Sequence, residues 1–323
     1  MKDVIAPIPR ERILAELTPD KLMRKTNKGA NEIYIITAHD SPSVMEEIGR
    51  IREITFRNAG GGIGKEIDID EFDICPKPYK QLIVWDPDAQ EILGGYRYII
   101  CSEAEKDEHG VVQLATTELF DFSEKFNNEY LPYVIELGRS FVQPKYQSSK
   151  AGTKALFALD NLWDGLGALI VDHPEIKYFF GKVTMYTHFN QEARDMILYF
   201  FEKYFSDKEN LVIPKHPLPI DFANERFTKI FNGGSYKEDY KILSQVVRQY
   251  GENIPPLINA YMNLSPSMRT FGTVINPFFG GVEETGIIVT IKDIYEAKKD
   301  RHIATYIRGK DFHFQSEDFE DVQ

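Results

Sequence analysis

Apolar positions that alternate, or recur at helical spacing, divide most of this chain into strands and amphipathic helices. Residues 32–37, Glu-Ile-Tyr-Ile-Ile-Thr, read as a strand rich in β-branched and aromatic residues. Ser41-Pro42 then opens a helix, with proline at its first position and Ser43-x-x-Glu46 in capping-box spacing. Met45, Ile48, Arg52 and Phe56 share one face of that helix. An arginine in such a stripe either snorkels to solvent or meets a buried acid. Two strands over 81–85 and 92–100 flank an Asp-Pro-Asp turn, and a further strand covers 133–142. A long helix over 153–170, a strand over 176–185 and an aromatic-rich helix over 190–204 follow. Residues 255–264 and 287–291 give a late helix and a late strand.

Strands and helices in this mixed order predict an α/β (α+β) fold around a central sheet. The chain divides into an N-terminal arm (1–31), a core (32–205), a polar insertion (206–250), a segment that packs on or completes the core (251–300) and a charged tail (301–323). Pro214, Pro217 and Pro219 break the pattern inside the insertion. With 323 residues and a net charge of −12, the chain can bury a large core and lacks the basic surface of a general nucleic-acid binder. Two cysteines, Cys75 and Cys101, build no disulfide framework and fit a reducing, cytoplasmic compartment. The first residues lack the layout of a secretory leader, and the most apolar run, 155–171, carries Asp160 and Asp164. The expectation is a cytoplasmic protein that touches a membrane at most peripherally.

The glycine loop Ala59-Gly-Gly-Gly-Ile-Gly-Lys-Glu66 is not a P-loop. It has Ala59 and Glu66 where that motif needs Gly and Ser/Thr, and it follows a helix rather than a strand. Its glycines fit a hinge or lid. The histidines form no metal-binding spacing, and no G-x-S-x-G is present, so neither a metal nor a tightly bound cofactor is expected.

Glu136-Leu-Gly-Arg139 places two opposite charges inside an apolar strand, three positions apart and so on opposite faces. One expectation is a pair of structural salt bridges, to Arg97 and to Asp70/Asp73; the other is that one charge faces a cleft. Between Glu136 and Asp160 no acid appears, whereas Arg139, Lys145, Lys150 and Lys154 do. That basic segment at a strand-to-helix junction suits an anionic group such as a phosphopantetheine or an acidic carrier protein.

The ordered set Arg52…Phe56, Asp70-Glu-Phe-Asp73, Gly95-Tyr-Arg97 and Glu136-Leu-Gly-Arg139 resembles the acyl-homoserine-lactone synthase branch of the GNAT acyltransferases. Glu136-Leu-Gly-Arg-Ser-Phe-Val-Gln-Pro-Lys-Tyr146 and Pro255-Pro-Leu-Ile-Asn-Ala-Tyr261, with Gly272, are similar to bacterial ornithine-type N-acyltransferases. With Val282-Glu-Glu-Thr-Gly-Ile-Ile-Val289 the whole pattern, over 32–300, resembles the longer glycine N-acyltransferases often labelled hemolysin-like.

The resemblance implies a GNAT fold with a mixed sheet splayed at its centre, and transfer of a long-chain, 3-hydroxy acyl group from acyl carrier protein to an amino acid. Gln147-Ser-Ser-Lys-Ala-Gly152 departs from the GNAT phosphate signature by placing Lys150 at the first glycine. Carrier-protein docking through Lys145, Lys150 and Lys154 is therefore expected over coenzyme A held by that loop, with Gln147 at its start. Glu136 is the expected base for the acceptor amine, and Tyr186 the acid for the leaving thiolate. A backbone N–H at Phe141 or Val142 is the expected oxyanion donor. Arg139 or Arg97 would bind the acceptor carboxylate, and Arg52, Asp70 and Asp73 would hold the lid beside Phe56. Glycine is the expected acceptor. Ornithine, an S-adenosylmethionine-dependent signal synthase and a non-catalytic acyl-binding protein are the alternatives.

Overall fold

The computed structural model describes residues 1–147 and 153–307. Its helices are α1 (Arg10–Glu16), α2 (Pro42–Asn58), α3 (Glu71–Ile74), α4 (Thr153–Asp172), α5 (Gln191–Phe205), α6 (Glu225–Ile230), α7 (Tyr236–Gln249), α8 (Pro256–Met262) and α9 (Glu296–His302). Its strands are β1 (Leu22–Lys25), β2 (Glu32–Ile36), β3 (Lys80–Asp86), β4 (Glu91–Ile100), β5 (Phe120–Phe122), β6 (Val134–Val142), β7 (Tyr178–Met185), β8 (Val212–Pro214), β9 (Arg269–Asn276) and β10 (Val282–Thr290).

Eight strands form one sheet in the order β1-β2-β3-β4-β6-β7-β10-β9, and β5 pairs separately with β8. Every neighbouring pair in the large sheet is antiparallel except β6 and β7. That parallel pair is in register only from Val134↔Tyr178 to Leu137↔Gly181. Past those residues both strands continue without a shared ladder, so the mixed sheet splays at its centre, as expected.

The N-terminal segment does more than lie across the fold: β1 is an edge strand of the sheet, and α1 serves α2. The Ser43–Glu46 capping box does not form. Instead Glu16 of α1 accepts from the backbone N–H groups of Ser43 (3.1 Å) and Val44 (2.9 Å), satisfying donors that a helix start leaves open. Within 206–250, α7 buries Leu243 and Val247 in the same cluster as α5, because their i, i+4 spacing gives an otherwise polar helix one apolar face.

Alternation along the strands sorts the sheet into two faces. Leu82, Tyr98, Ile135, Phe179 and Ile287 pack with Leu162 and Leu166 of α4 and with α5. The opposite face carries Ile83, Trp85 and Phe141 against α2, and Ile99, Val134 and Phe180 against Phe120 and Phe126. One irregularity interrupts the ladder between β4 and β6. Gly95 pairs with Phe141 and Arg97 with Gly138, so Arg139 and Ser140 together oppose Tyr96 alone. Arg139 has φ +49°, and this bulge shifts the face on which every later β6 side chain lands.

Candidate active site

A cavity of about 610 Å³ fills the splay between β6 and β7. Its two ends differ in chemistry because they lie on opposite faces of the sheet. On one side Glu136, Lys182, Thr184 and Glu284 line it with Tyr79 and Arg97. On the other, Leu137, Phe179, Ile287 and Val289 face Leu162, Trp163 and Leu166 of α4, and α8 closes the wall with Leu257 and Tyr261. A polar compartment thus opens through the sheet into an apolar one.

Glu136 is buried at the junction. Its Oε2 accepts from the Tyr79 hydroxyl and its Oε1 from the Thr116 N–H at 2.9 Å. The Tyr79 oxygen in turn accepts from the Ala115 N–H at 3.0 Å. Among the described residues the salt bridge from Glu136 to Arg97 considered from sequence is not formed, and both hydrogen bonds to this carboxylate come from neutral donors. Burial pushes the Glu136 carboxyl above its usual range, against those hydrogen bonds and the charge of Lys182. Burial and Glu136 hold the Tyr79 phenol well above its ordinary value.

Three arginines and three aspartates form a second group, buried at Arg52, Arg97, Asp68 and Asp73 and half-buried at Asp70 and Arg139. Arg52, at 0 % exposure, does not snorkel: its Nη1 meets Asp73 Oδ2 at 3.2 Å and the Asp68 carbonyl at 3.4 Å. Arg97 Nη1 lies 2.6 Å from Asp70 and 3.2 Å from Asp73. Arg139 reaches Asp68 through Nε (3.0 Å) and Asp70 through Nη2 (3.3 Å), and its guanidinium lies over the Phe279 ring at 4.3 Å. Gln81 donates to Asp73 at 2.9 Å. The expectation that Glu136 and Arg139 occupy opposite faces is corrected by the bulge, which turns Arg139 back toward the side of the sheet that Glu136 occupies. Burial pushes the Asp70 carboxyl up, but Arg97 and Arg139 outweigh it and hold it well below the carboxylate range. Burial dominates at Asp68, which is pushed up.

A third set crosses the splay. Lys182 of β7 lies 3.2 Å from Glu284 of β10 and donates to the Ala115 carbonyl at 3.2 Å. Asn276 (2.9 Å) and Thr184 (3.4 Å) complete the shell of Glu284. Tyr186 lines the polar compartment, stacked on His188 with ring centroids 6.0 Å apart; burial and the Glu284 charge raise its phenol.

Phe141 and Val142 both line the cavity. The Gln143 N–H bonds to Leu93 of β4, so by strand alternation the N–H and C=O of Val142 point the other way, toward the gap. The Val142 carbonyl is taken by the Gln147 side-chain amide at 2.6 Å. That leaves the Val142 N–H as the donor aimed into the splay. Lys145 is tied to Glu91 at 2.8 Å, and Glu91 also holds Tyr146 (2.6 Å) and Arg10 (3.3 Å). Lys150 and the side chain of Lys154 lie outside the described residues.

The glycine loop is pinned rather than free. Glu53, unremarked in the sequence, accepts from the N–H groups of Ile63 (3.2 Å) and Gly64 (2.8 Å) and from Arg57 Nε (2.6 Å). A carboxylate therefore occupies the amides that a phosphate loop would offer to its ligand. Arg52 anchors the 68–73 segment to α2, whereas Glu53 anchors the glycines. A Cβ on Gly61 would stand 3.1 Å from Tyr186 and 3.3 Å from Phe279, so the absent side chain is what lets the loop close over the polar compartment. Phe56 stacks edge-on against Phe279 at 5.0 Å in the same wall.

Sequence reasoning missed Tyr79, Thr116, Lys182 and Glu284. Among the described residues no cluster of three or more His, Cys, Asp or Glu is placed to hold a metal ion, and no helix is long and apolar enough to cross a membrane.

The family described as "Acetyltransferase (GNAT) domain" matches residues 51–156, which run from α2 through β6 into α4. The fold and the cleft in its splayed sheet are those of a GNAT acyltransferase. The chain is 58 % identical over 308 residues to the glycine N(alpha)-acyltransferase of Phocaeicola vulgatus, covering 95 % of this chain and 94 % of the relative. It is 57 % identical to the glycine N(alpha)-acyltransferase of Bacteroides thetaiotaomicron, covering 96 % and 92 %. A solved aminoglycoside acetyltransferase, AAC(6')-Ib with coenzyme A and kanamycin, aligns over 83 % of this chain and 96 % of its own at TM-score 0.32 and 12 % identity. The chain belongs to the family of the two glycine N(alpha)-acyltransferases, and it is an N-acyltransferase.

Proposed function

We propose that this protein transfers a long-chain, 3-hydroxylated acyl group from the thioester of acyl carrier protein to the α-amine of glycine. The observation that carries the reading is the two-chambered cavity, with an apolar chamber fit for a chain, a polar one fit for a small zwitterion, and a buried carboxylate between them. The names of the two relatives and the tight packing of the glycine loop on Tyr186 and Phe279 both favour an acceptor as small as glycine.

In the reaction the glycine nitrogen attacks the thioester carbonyl, a C–N bond forms, the C–S bond breaks, and the carrier thiol leaves. The amine must shed a proton, which the raised Glu136 carboxylate takes, directly or through one water. The Val142 N–H polarises the carbonyl as charge builds on its oxygen. Arg139 receives the acceptor carboxylate through Nη1, its Nε and Nη2 being engaged by Asp68 and Asp70. Tyr186, whose phenol burial and Glu284 raise, gives its proton to the departing sulfur so that the carrier leaves as a thiol, and the proton taken up by Glu136 returns to the phenolate through water. An amphiphilic product also fits a cytoplasmic protein in passing contact with the membrane face.

The test offers purified protein either 3-hydroxypalmitoyl carrier protein or 3-hydroxypalmitoyl-coenzyme A, with all amino acids in equal amounts, and reads products by mass spectrometry. N-acyl glycine as the dominant product, made faster from the carrier protein, is expected. Dominant N-acyl ornithine overturns the acceptor, a faster coenzyme A reaction overturns the donor, and bound chain without product overturns catalysis.

A further inference from the structure

A second, much smaller cavity of about 40 Å³ lies beyond the apolar chamber. It is too small for a ligand of its own, since separate small-molecule sites run to roughly 300–1,000 Å³. Trp163, Leu166 and Phe179 line both cavities. The progression along the helices is regular. On α4 the large chamber is lined from Leu159 to Leu166 and the small one from Trp163 to Ile170. On α8 the large chamber uses Leu257 and Tyr261, and the small one Ala260 and, just past the helix, Leu264. Both cavities thus lie in one channel between α4 and α8, divided by a partition one helical turn deep. Trp163 is its bulkiest member, and its ring meets Tyr261 edge-on at 5.9 Å, which braces it across the channel. The far wall is fixed: α9 packs so closely on Gly167 that a Cβ there would lie 2.1 Å from the His302 carbonyl.

We infer that Trp163, braced by Tyr261, is the end stop of the acyl channel and sets the longest chain the enzyme takes, with the 40 Å³ chamber as space a longer chain gains when the stop is removed. The inference rests on the N-acyltransferase reading, with the chain in the apolar chamber.

The experiment presents wild type and Trp163→Ala with an equimolar series of saturated acyl carrier thioesters and glycine, and records product lengths. The preferred length shifts upward by two or more carbons in the variant, and the kcat/KM ratio of the longer to the original donor rises roughly tenfold. A double variant, Trp163→Ala with Ala260→Leu, refills the small chamber and reverses the shift. Should Trp163→Ala fail to fold, Trp163→Leu keeps an apolar side chain on α4 and carries the same expectation. An unchanged length distribution in a folded variant overturns the end stop. Absence of N-acylated product from wild type overturns the reading beneath it.

Discussion

Two buried groups of charge lie side by side under the same sheet and are held in opposite ways. Asp68, Asp70 and Asp73 face three arginines, so their charge is cancelled in place. Glu136 has a phenol and a backbone amide, neither of which carries charge. The first arrangement fixes geometry and favours the ionised form at Asp70, while burial still dominates at Asp68. The second leaves a carboxyl that burial raises, the direction the proposed general base needs. Burial is common to both groups; the charge of the hydrogen-bonding partners is what differs.

Breaking the first group has the largest effect. Arg52→Leu leaves buried Asp73 with Gln81 and, among the described residues, Arg97 as its remaining cation, and removing one partner of a buried pair costs about 3–5 kcal/mol. A large fall in urea midpoint with an unchanged m-value is expected; a midpoint close to wild type shows that the cluster does not hold the fold. Glu136→Gln keeps the hydrogen-bonding shape and removes the base. It lowers kcat/KM for glycine by about 10²–10⁴ while the fold is retained, and near wild-type turnover ends the assignment.

Acidity sharpens the same contrast, because the two carboxyls shift in opposite directions. Asp70 is depressed on folding, so its stabilising contribution is present above about pH 4 and fades as pH falls toward its folded value. Glu136 is raised, so its contribution is full below about pH 4.3 and is lost as pH rises through its folded value. Melting temperature against pH should therefore lose part of its acid limb in Asp70→Asn, whereas Glu136→Gln gains at neutral pH relative to acid. The rate follows the base: wild-type kcat/KM climbs as pH rises through the Glu136 value, and a profile without that limb removes Glu136 from the mechanism.

Smaller effects separate support from decoration. Glu53→Ala frees two amides and Arg57, and the loosened glycine loop raises KM for glycine roughly tenfold with kcat little changed, an order set by about one net hydrogen bond. A selective fall in kcat instead would make the loop part of the chemistry. Lys145→Ala removes an exposed pair with Glu91 and alters donor KM by less than about twofold. A tenfold rise would restore the docking role that the basic segment suggests.

Much of the sheet was legible because alternation and helical spacing are local properties. β2, β3, β4, β6 and β7, with α2, α4 and α5, lie where the pattern puts them. β9 escaped because Gly272, at φ +84°, interrupts its run, and β1 because four residues inside a charged arm show no period. At the site, Glu136 and Arg139 stood out as charges in an apolar strand, and Arg97 through the motif Gly95-Tyr-Arg97. Asp70 and Asp73 were legible as acids for those arginines, but Tyr79, 57 positions from Glu136, was not, nor was the pair Lys182 and Glu284, 102 positions apart. The bulge at Arg139 breaks the very alternation used to assign faces, so the sequence pattern placed that side chain on the wrong side.

The position of β10 between β7 and β9 has a consequence for how the protein is made. About a hundred residues separate the end of β7 from the start of β10, which supplies Glu284 and covers the open edge of β7. At about 5–20 residues per second, a ribosome needs some 5–20 s to cross that interval. During that time the nascent sheet ends at β7, paired to β6 on one side and with its other edge open along Phe179, Phe180 and Val183. An open apolar edge of that kind invites pairing with another chain, so truncation within the last quarter of the chain, which removes β10, costs solubility as well as activity.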